Sequence, residues 1–380
     1  ISIQYKTFIQ TTETCHIFIF LKYHKLYSLM SSFSTTTTIA EDDGGRTAIT
    51  AVHPDIIQTL ILTKLDGPTL ISAGFASLRL QNLCSDDELW RKFCNSFWPS
   101  TSDPLIKNAV AAFPSGHRSL FSDSFPSITH NDPKPITGDN SNRRLLSPEL
   151  ISAVDIHFGG NLLYSKVLTN ETESGWFMSS PFRIELLGHK EIVPTPVKFD
   201  GEDGNCKLEL QKMKLSWILI DPSRNRAMNV SSLNPVSVQR HWLTGELKVR
   251  YSTVMGSCAG AGEGLVQCGI VVTCEGKEGG ELHVREVSMQ IEDMDGKVLC
   301  GKDSLVILQE VIEGGRKKRK ENEEKENYEN FLELKKKWKE NKQKKEKNLD
   351  MMCIASGITI LISFWTLIVF GSRTNGSYFS

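Results

Sequence analysis

Apolar residues recur at every second position along much of the chain between residues 152 and 308. One such run consists of Met213, Leu215, Trp217 and Leu219. Successive side chains of an extended chain point to opposite faces, so a period of two indicates strands with one buried face. Several strands at this spacing predict an antiparallel sandwich or barrel, and we expect a β-rich domain over residues 149–310.

The Asp-Gly pair inside "MDGK", residues 294–297, predicts a tight hairpin turn. It separates the segments "VREVSMQIE" and "VLCGKDSLVIL". We therefore expect these two segments to be neighbouring strands.

Residues 52–98 have helical spacing instead. Pro54 suits the first turn of a helix, and the aliphatic residues that follow it recur three and four positions apart. Asp66-Gly67-Pro68 ends one helix and begins another, and Ser85 or Asp86 can cap a later one. A module of this size has too much surface to bury all of its apolar side chains, so we expect a leftover apolar patch that binds another protein.

The flanking segments have other compositions. Residues 1–51 are expected to be a disordered arm or a translated upstream segment, because residues 31–51 lack apolar periodicity and the first methionine is Met30. Pro, Gly, Ser, Asn and Asp cluster over residues 99–148 and predict a loop-rich connector. Residues 311–350 are rich in lysine and glutamate and predict a charged, solvated helical stalk.

Residues 351–370 contain no charged side chain. As a helix rising about 1.5 Å per residue this run spans about 30 Å, the thickness of a bilayer's hydrocarbon core, and predicts a transmembrane helix. Lysines crowd its N-terminal side, so the bulk of the chain is expected in the cytosol, anchored by its C-terminus. The basic run from Arg316 to Lys320 leaves nuclear import open as an alternative.

Catalytic and cofactor chemistry has little support in the sequence. Ser115, His117 and Asp123 occur together, but without a nucleophile elbow, so local hydrogen bonding is the preferred interpretation. The nine cysteines include no C-x-x-C pair, which disfavours a zinc site. The formal net charge of -1 gives no support for nucleic-acid binding. We expect no catalytic residues, no metal and no cofactor.

Aromatic side chains in the β-rich domain invite two interpretations. Arg240, His241 and Trp242 are adjacent, and either line a ligand groove or pack on the core at a strand end; we take them as the candidate exposed site for a bound substrate. Trp176, Phe177 and Phe182 are expected mostly in the core.

The helical segment resembles an F-box, a module whose pattern combines Leu-Pro, helix-spaced aliphatic residues, a small-residue turn and a final leucine and tryptophan. His53 stands at the position of the usual leucine. Further segments, among them "LWRKFCNSFWPST" and "PVSVQRHWLTGELKVRYSTVM", are similar to a family of plant F-box proteins, and the likeness extends from His53 to Gln309. The residues that the resemblance assigns to adaptor binding are Pro54, Ile56, Ile57, Leu60, Leu65, Leu70, Leu83 and Trp90.

The resemblance implies a substrate receptor of a Skp-cullin-F-box ubiquitin ligase. In such a complex the F-box, here residues 52–98, docks on a Skp-type adaptor and through it on a cullin, and the downstream domain presents an unknown target protein. The expected fold is α+β, with a small three-helix F-box module, a β-rich antiparallel sandwich-like domain, a charged helix and a C-terminal transmembrane helix. The alternative is a membrane-anchored, lectin-like β-sandwich binding or regulatory protein without ligase function.

Overall fold

The residues with alternating polarity form two antiparallel sheets in the computed structural model, which describes residues 52–125, 147–199, 203–257, 264–277, 279–313 and 323–375. The first sheet has the order β2-β1-β5-β6. Its strands are β1 (Glu149–Phe158), β2 (Asn161–Glu171), β5 (Met213–Asp221) and β6 (Arg226–Asn229).

The second sheet has the order β3-β10-β9-β8-β7, and β4 also pairs with β10. Its strands are β3 (Arg183–Glu185), β4 (Val193–Lys198), β7 (Ser237–Arg240), β8 (Leu247–Ser257), β9 (Gly264–Glu275) and β10 (Glu281–Glu292). Every pairing within the two sheets is antiparallel among the strands that the structure describes.

Both sheets contribute to one buried apolar cluster. Ile156 and Trp217 of the first sheet and Tyr251, Ile270 and Val284 of the second belong to it, and each is fully buried. Burial of this kind supplies most of the free energy that favours folding. The α+β class and the antiparallel sheets expected from the sequence are confirmed.

The turn after β10 forms as expected, but the segment that follows it does not continue as a strand. Gly296 has a φ of +83°, and the Lys297 carbonyl accepts a hydrogen bond from the Asp293 amide at 3.0 Å. After brief pairing of Val298 with Glu292, the chain enters a helix, Gly301–Glu313. The prediction of a strand over "VLCGKDSLVIL" was wrong, because Leu305, Leu308 and Ile312 recur at helical spacing and are buried on one face.

The N-terminal region is helical beyond the three helices predicted for it. A short helix, α1 (Pro54–Ile56), leads into a π-helical turn, Ile57–Ile61, and a 3₁₀ turn, Leu62–Lys64. The helices α2 (Gly67–Gly74), α3 (Leu78–Cys84) and α4 (Asp87–Phe97) follow. The predicted loop-rich connector differs in its described part, which contains a 3₁₀ turn, Pro99–Ser102, and the helices α5 (Pro104–Ala111) and α6 (Gly116–Ser124).

The remaining helices are α7 (Gly175–Ser179), α8 (Asp203–Leu210), α9 (Gly301–Glu313) and α10 (Glu323–Asn375). The 53-residue helix α10 joins the charged segment and the apolar run without a break. The contacts of the chain group into two units, Ile1–Ile57 and Gln58–Ser380. The arm over residues 1–51 and the basic run from Arg316 to Lys320 lie outside the described residues.

Candidate functional site

The first helical turn is capped by a histidine. The Nδ1 atom of His53 accepts a hydrogen bond from the Asp55 amide at 3.3 Å, and Pro54 occupies the first turn, where a missing amide hydrogen costs nothing. His53, which replaces the leucine of the F-box pattern, therefore supplies one of the acceptors that the first turn needs.

The turn between the first two helices depends on a glycine. Asp66 caps α2 by accepting a hydrogen bond from the Thr69 amide at 2.8 Å, and Pro68 follows in the first turn. A Cβ atom on Gly67 would lie 2.1 Å from Cζ of Phe121, a fully buried ring on α6. Each residue after Leu65 in "LDGP" thus has a structural reason: Asp66 caps the helix, Gly67 leaves room for the Phe121 ring, and Pro68 has the φ that the first helical turn needs.

Two further caps order the following helices. The hydroxyl of Ser77 accepts from the Leu80 amide at 3.2 Å and begins α3. The carboxylate of Asp86 accepts from the Glu88 amide at 3.1 Å and begins α4, so Asp86 rather than Ser85 is the cap. The side-chain amide of Gln58 also donates to Asp86, which ties the π-helical turn to α4.

A cluster of aromatic rings forms the interior of this helical region. The ring centroid of Phe121 lies 5.3 Å from that of Trp90, 5.2 Å from that of Phe93 and 5.8 Å from that of Trp98. The indole nitrogen of Trp90 donates to the Cys84 carbonyl at 2.7 Å. Because Phe121 lies in the predicted connector, the sequence did not indicate that it completes the core of residues 52–98.

The predicted adaptor-binding residues divide by exposure. Ile57, Leu70 and Trp90 are buried, Pro54, Leu65 and Leu83 are half-buried, and Ile56 and Leu60 are exposed. The structure adds two exposed apolar side chains at the corner between α2 and α3, Phe75 at 79% and Leu78 at 80% exposed, compared with 50% for Leu60. Leu60, Phe75 and Leu78 are the candidate contacts for another protein, and we call these three residues the docking face.

The helical region is joined to the first sheet by buried carboxylates. Asp155, on β1, accepts from the amide and the hydroxyl of Ser100 at 2.9 and 2.6 Å and from the hydroxyl of Ser165 at 2.7 Å. Burial raises the pKa of Asp155, while these hydrogen bonds act in the opposite direction. The carboxylate is therefore held by donors from both parts of the chain.

A second carboxylate covers the edge of the same sheet. Asp123, on α6, accepts from Nε of Arg226 at 2.8 Å and from the Ala227 amide at 3.1 Å. Both donors belong to β6, an edge strand, whose unpaired amides would otherwise be open to pairing with another chain. The two carboxylates together fix how the helical region sits on the sheet.

The candidate substrate-binding residues lie at the hairpin between β7 and β8. Trp242 is 87% exposed, and its neighbour Leu243, which the sequence analysis did not single out, is exposed as well. His241 Nδ1 contacts the hydroxyl of Thr244 at 3.0 Å, and Arg240 donates to the Gly245 carbonyl at 3.1 Å. We call residues 240–246 the exposed hairpin.

Arg240 is also held from the other side, because its guanidinium lies 5.1 Å from the centroid of the Phe199 ring. An open cleft of about 590 Å³ lies at the same end of the second sheet, lined by His189, Ile192, Glu281 and Arg285 among others. The carboxylate of Glu275 accepts a hydrogen bond from Arg285, and Glu246 of the exposed hairpin adds negative charge; both raise the pKa of Arg285. The cleft and the exposed hairpin are therefore neighbours.

Trp176, expected mostly in the core, is 82% exposed instead, whereas Phe182 is buried as expected. Trp176 lies in α7, a helix of five residues that presents no buried side chain. A short helix between two strands leaves one face to solvent, and the sequence pattern could not show which aromatic ring would take that face.

The serine, histidine and aspartate of the connector do not form a catalytic arrangement. Nδ1 of His117 lies 3.0 Å from a carboxylate oxygen of Asp87, and Asp123 binds β6 as described above. Within the described residues no cluster of three or more His, Cys, Asp or Glu side chains could hold a metal ion.

The C-terminal helix contacts the β-rich domain before it becomes apolar. Tyr328 and Phe331 are buried while Lys325, Glu326 and Glu329 are exposed, so one face of the first described turns of α10 is covered and the other is solvated. Trp338 donates to a carboxylate oxygen of Asp295 at 3.1 Å and Lys342 donates to the other at 2.8 Å. Among the described residues one helix is long and apolar enough to cross a membrane, and none of its most apolar window is buried.

Comparison with curated proteins finds three relatives from Arabidopsis thaliana. F-box protein At2g27310 is 43% identical over 336 residues, which cover 85% of this chain and 96% of the relative. Probable F-box protein At2g36090 is 44% identical over 75% of this chain and 80% of its own length. F-box protein At3g44326 is 40% identical over 77% of this chain and 80% of its own length.

No family model matches the chain. No solved structure matches it either.

Proposed function

Because the chain belongs to the family of plant F-box proteins, we propose that it is the substrate-recognition subunit of a ubiquitin ligase of the Skp-cullin-F-box type. The F-box docks on a Skp-type adaptor and through it on a cullin, and the β-rich domain presents a target protein. The chain acts without a catalytic group of its own, because ubiquitin transfer takes place on other subunits.

The observation that carries this proposal is the exposure of the docking face. Leu60, Phe75 and Leu78 are exposed, although Leu70, Trp90 and Phe121 already fill the interior of the helical region. Large apolar side chains left on the surface of an ordered helical region are typical of a protein interface. Leu65 and Leu83, which are half-buried, form the rim of the proposed interface.

The buried members of the predicted set support the interface from beneath. Leu70 and Trp90 hold the helices in place, so their side chains act on the adaptor through the position of the docking face. Ile57 is also buried. Pro54 and Ile56 remain predicted contacts of the adaptor in their own right.

The mechanism is positioning. A target lysine held near a conjugating enzyme reacts as if at high concentration, provided that the connection between the two binding surfaces keeps its geometry. The hydrogen bonds of Asp155 with Ser100 and of Asp123 with β6 supply such a connection. We infer that these hydrogen bonds keep the bound target at a fixed distance and orientation relative to the adaptor.

The target is proposed to bind at the exposed hairpin. Trp242 and Leu243 offer a solvent-facing apolar tip, while Arg240 and His241 are held in place by contacts with Phe199 and Thr244. Exposed tryptophans on ordered elements are frequent centres of binding energy in protein interfaces. The neighbouring cleft widens the surface on which a target segment can lie.

We further propose that the apolar end of α10 anchors the chain in a membrane, with the β-rich domain in the cytosol. Residues 351–370 are uncharged, and the side chains described there are exposed in the free chain, as expected for a helix that lipid surrounds. The preceding lysines favour the cytosolic side.

Co-purification tests the ligase role. The full chain, expressed in plant cells with an affinity tag, is expected to retain a Skp-type adaptor and a cullin after detergent extraction. A variant with Phe75→Asp and Leu78→Asp is expected to lose both, and a matched variant with Leu105→Asp, an exposed leucine on α5, is expected to keep them. Equal retention by the three proteins would exclude the docking face and favour a membrane-anchored binding protein without ligase function.

A further inference from the structure

The turn that follows β10 has contacts that neither the docking face nor the exposed hairpin uses. Asp295, at the tip of this turn, receives hydrogen bonds from both Trp338 and Lys342 of α10. About one helical turn before Trp338, the ammonium group of Lys335 lies 3.5 Å from the carboxylate of Glu292 at the end of β10. Together with buried Phe331, these contacts join the helix to the β-rich domain over about three helical turns.

The same helix continues without a break into the apolar run. Lys342 precedes Met351 by nine residues, so the turn at Asp295 lies within about 14 Å, measured along the helix axis, of the start of the proposed membrane span. A flexible linker of nine residues would allow the domain many orientations, but a continuous helix fixes one.

The exposed hairpin lies at the opposite end of the same sheet. Leu247 of β8 pairs with Arg240 beside the hairpin, whereas Val254 of β8 pairs with Gln267, which in turn pairs with Glu292 beside the turn. The seven residue steps from Leu247 to Val254 correspond to about 24 Å along an antiparallel strand.

The charges of the turn suit a position near a membrane. Asp293 and Asp295 alone would be repelled by the anionic headgroups of a cytosolic leaflet. The hydrogen bond from Lys342 keeps the pKa of Asp295 below its usual range and pairs its charge. The ammonium group of Lys335 pairs the charge of Glu292. Lysines 344, 345 and 347 follow on the side of the apolar run.

We propose that the contact between α10 and Asp295 holds the β-rich domain upright on an anionic membrane, with the turn at residues 293–297 toward the lipid and the exposed hairpin directed away from it. The inference rests on the membrane anchor and the target surface of the proposed function and adds the class of target. The exposed hairpin then meets proteins of the cytosol, or domains that extend well above the bilayer, rather than the lipid-embedded part of a target.

Energy transfer to lipid tests this orientation. The full chain is reconstituted into phosphatidylcholine vesicles that contain phosphatidylserine and a trace of lipid with an acceptor dye on its headgroup. A donor dye is attached through an azide-bearing phenylalanine introduced at Lys297 in one protein and at Leu243 in another; both side chains are exposed. Transfer from position 297 is expected to be at least about twofold more efficient, because more than 20 Å of sheet separates the two positions.

A double variant removes the contact. Asp295→Lys with Trp338→Ala is expected to bring the two transfer efficiencies together, and the matched variant Lys336→Ala with Glu340→Ala, on the same helix, is expected to preserve their difference. Equal transfer from the two positions of the unaltered chain would overturn the orientation, and a difference that survives loss of the contact would overturn the role of Asp295 in holding it. Both results leave the anchor in place. A chain that does not sediment with the vesicles would overturn the anchor and the orientation with it.

Discussion

The carboxylate of Asp155 and the backbone and hydroxyl of Ser100, 55 residues apart in sequence, share two buried hydrogen bonds that join the helical region to the first sheet. Replacing Asp155 by alanine leaves the Ser100 donors and the Ser165 hydroxyl without their acceptor. We expect Asp155→Ala to lower the free energy of unfolding by about 2 to 3 kcal/mol, since each unsatisfied buried donor costs about 1 to 3 kcal/mol and relief of a buried charge offsets part of the loss.

Urea unfolding of the detergent-solubilised chain measures this change. Ser165→Ala removes one donor and keeps the acceptor, so its loss should be only about 1 kcal/mol. If Asp155→Ala unfolds at the same urea concentration as the unaltered chain, the two parts are not joined through this carboxylate.

Gly67 is expected to tolerate no side chain. A Cβ atom there would lie 2.1 to 2.8 Å from three atoms of the buried Phe121 ring, and the aromatic cluster leaves that ring little room to move. Gly67→Ala should therefore lower the free energy of unfolding by about 1 to 3 kcal/mol, the usual cost of overpacking. Thermal unfolding followed by circular dichroism measures it, and Gly175→Ala, where no atom lies within 4 Å, is the control expected to change little.

Glu191 should make stability depend on acidity. The Gly188 amide, Lys166 and Tyr164 all donate to its carboxylate and lower its pKa from 4.5 to about 2. A carboxylate whose pKa is lower in the folded state stabilises that state at pH values above its pKa in the unfolded chain. The contribution is lost as the pH falls to the pKa of the folded state. We expect Glu191→Gln to reduce the free energy of unfolding near neutral pH by less than about 1 kcal/mol, because the group is partly exposed.

The difference between Glu191→Gln and the unaltered chain should shrink as the pH falls from about 4.5 toward 2. Urea unfolding across this range, at constant ionic strength, gives the comparison. A difference that grows with acidity would contradict the assigned contacts.

Residues 351–370 should make the chain an integral membrane protein. After extraction of membranes with alkaline carbonate, the full chain is expected in the pellet and a version ending at Asp350 in the supernatant, because lipid no longer surrounds an apolar helix in the shorter chain. Gel analysis of both fractions measures it. Release of the full chain would exclude a spanning helix and leave peripheral attachment.

Local signals in the sequence were sufficient for much of the fold. The period of two predicted the antiparallel sheets. The helix boundary at Asp66-Gly67-Pro68 and a cap at Ser85 or Asp86 were also visible, because a capping side chain acts within three residues of itself. The prediction of a strand after "MDGK" was wrong, because a short apolar run is compatible with both a strand and a helix, and tertiary packing determines which of them forms.

The contacts that organise the candidate site were not visible in the sequence. Phe121 enters the aromatic cluster from a segment rich in turn-forming residues, and Asp155 lies among the apolar residues of a strand. Both side chains contact residues more than 20 positions away in the sequence, and a periodic pattern of apolar residues does not predict such contacts. Phe75 and Leu78 could have been noticed as apolar residues beside the helix boundary at Ser77, but only the fold reveals that they stay exposed.

The affinity of the chain for a Skp-type adaptor tests the central claim most directly. Calorimetric titration of the detergent-solubilised full chain should give a saturable interaction, and Leu60→Asp, Phe75→Asp and Leu78→Asp should each weaken it by at least about 30-fold, the loss of about 2 kcal/mol typical of a central interface residue. Leu105→Asp should bind like the unaltered chain. Unchanged binding by all three docking-face variants, each with an unaltered unfolding transition, would contradict the account.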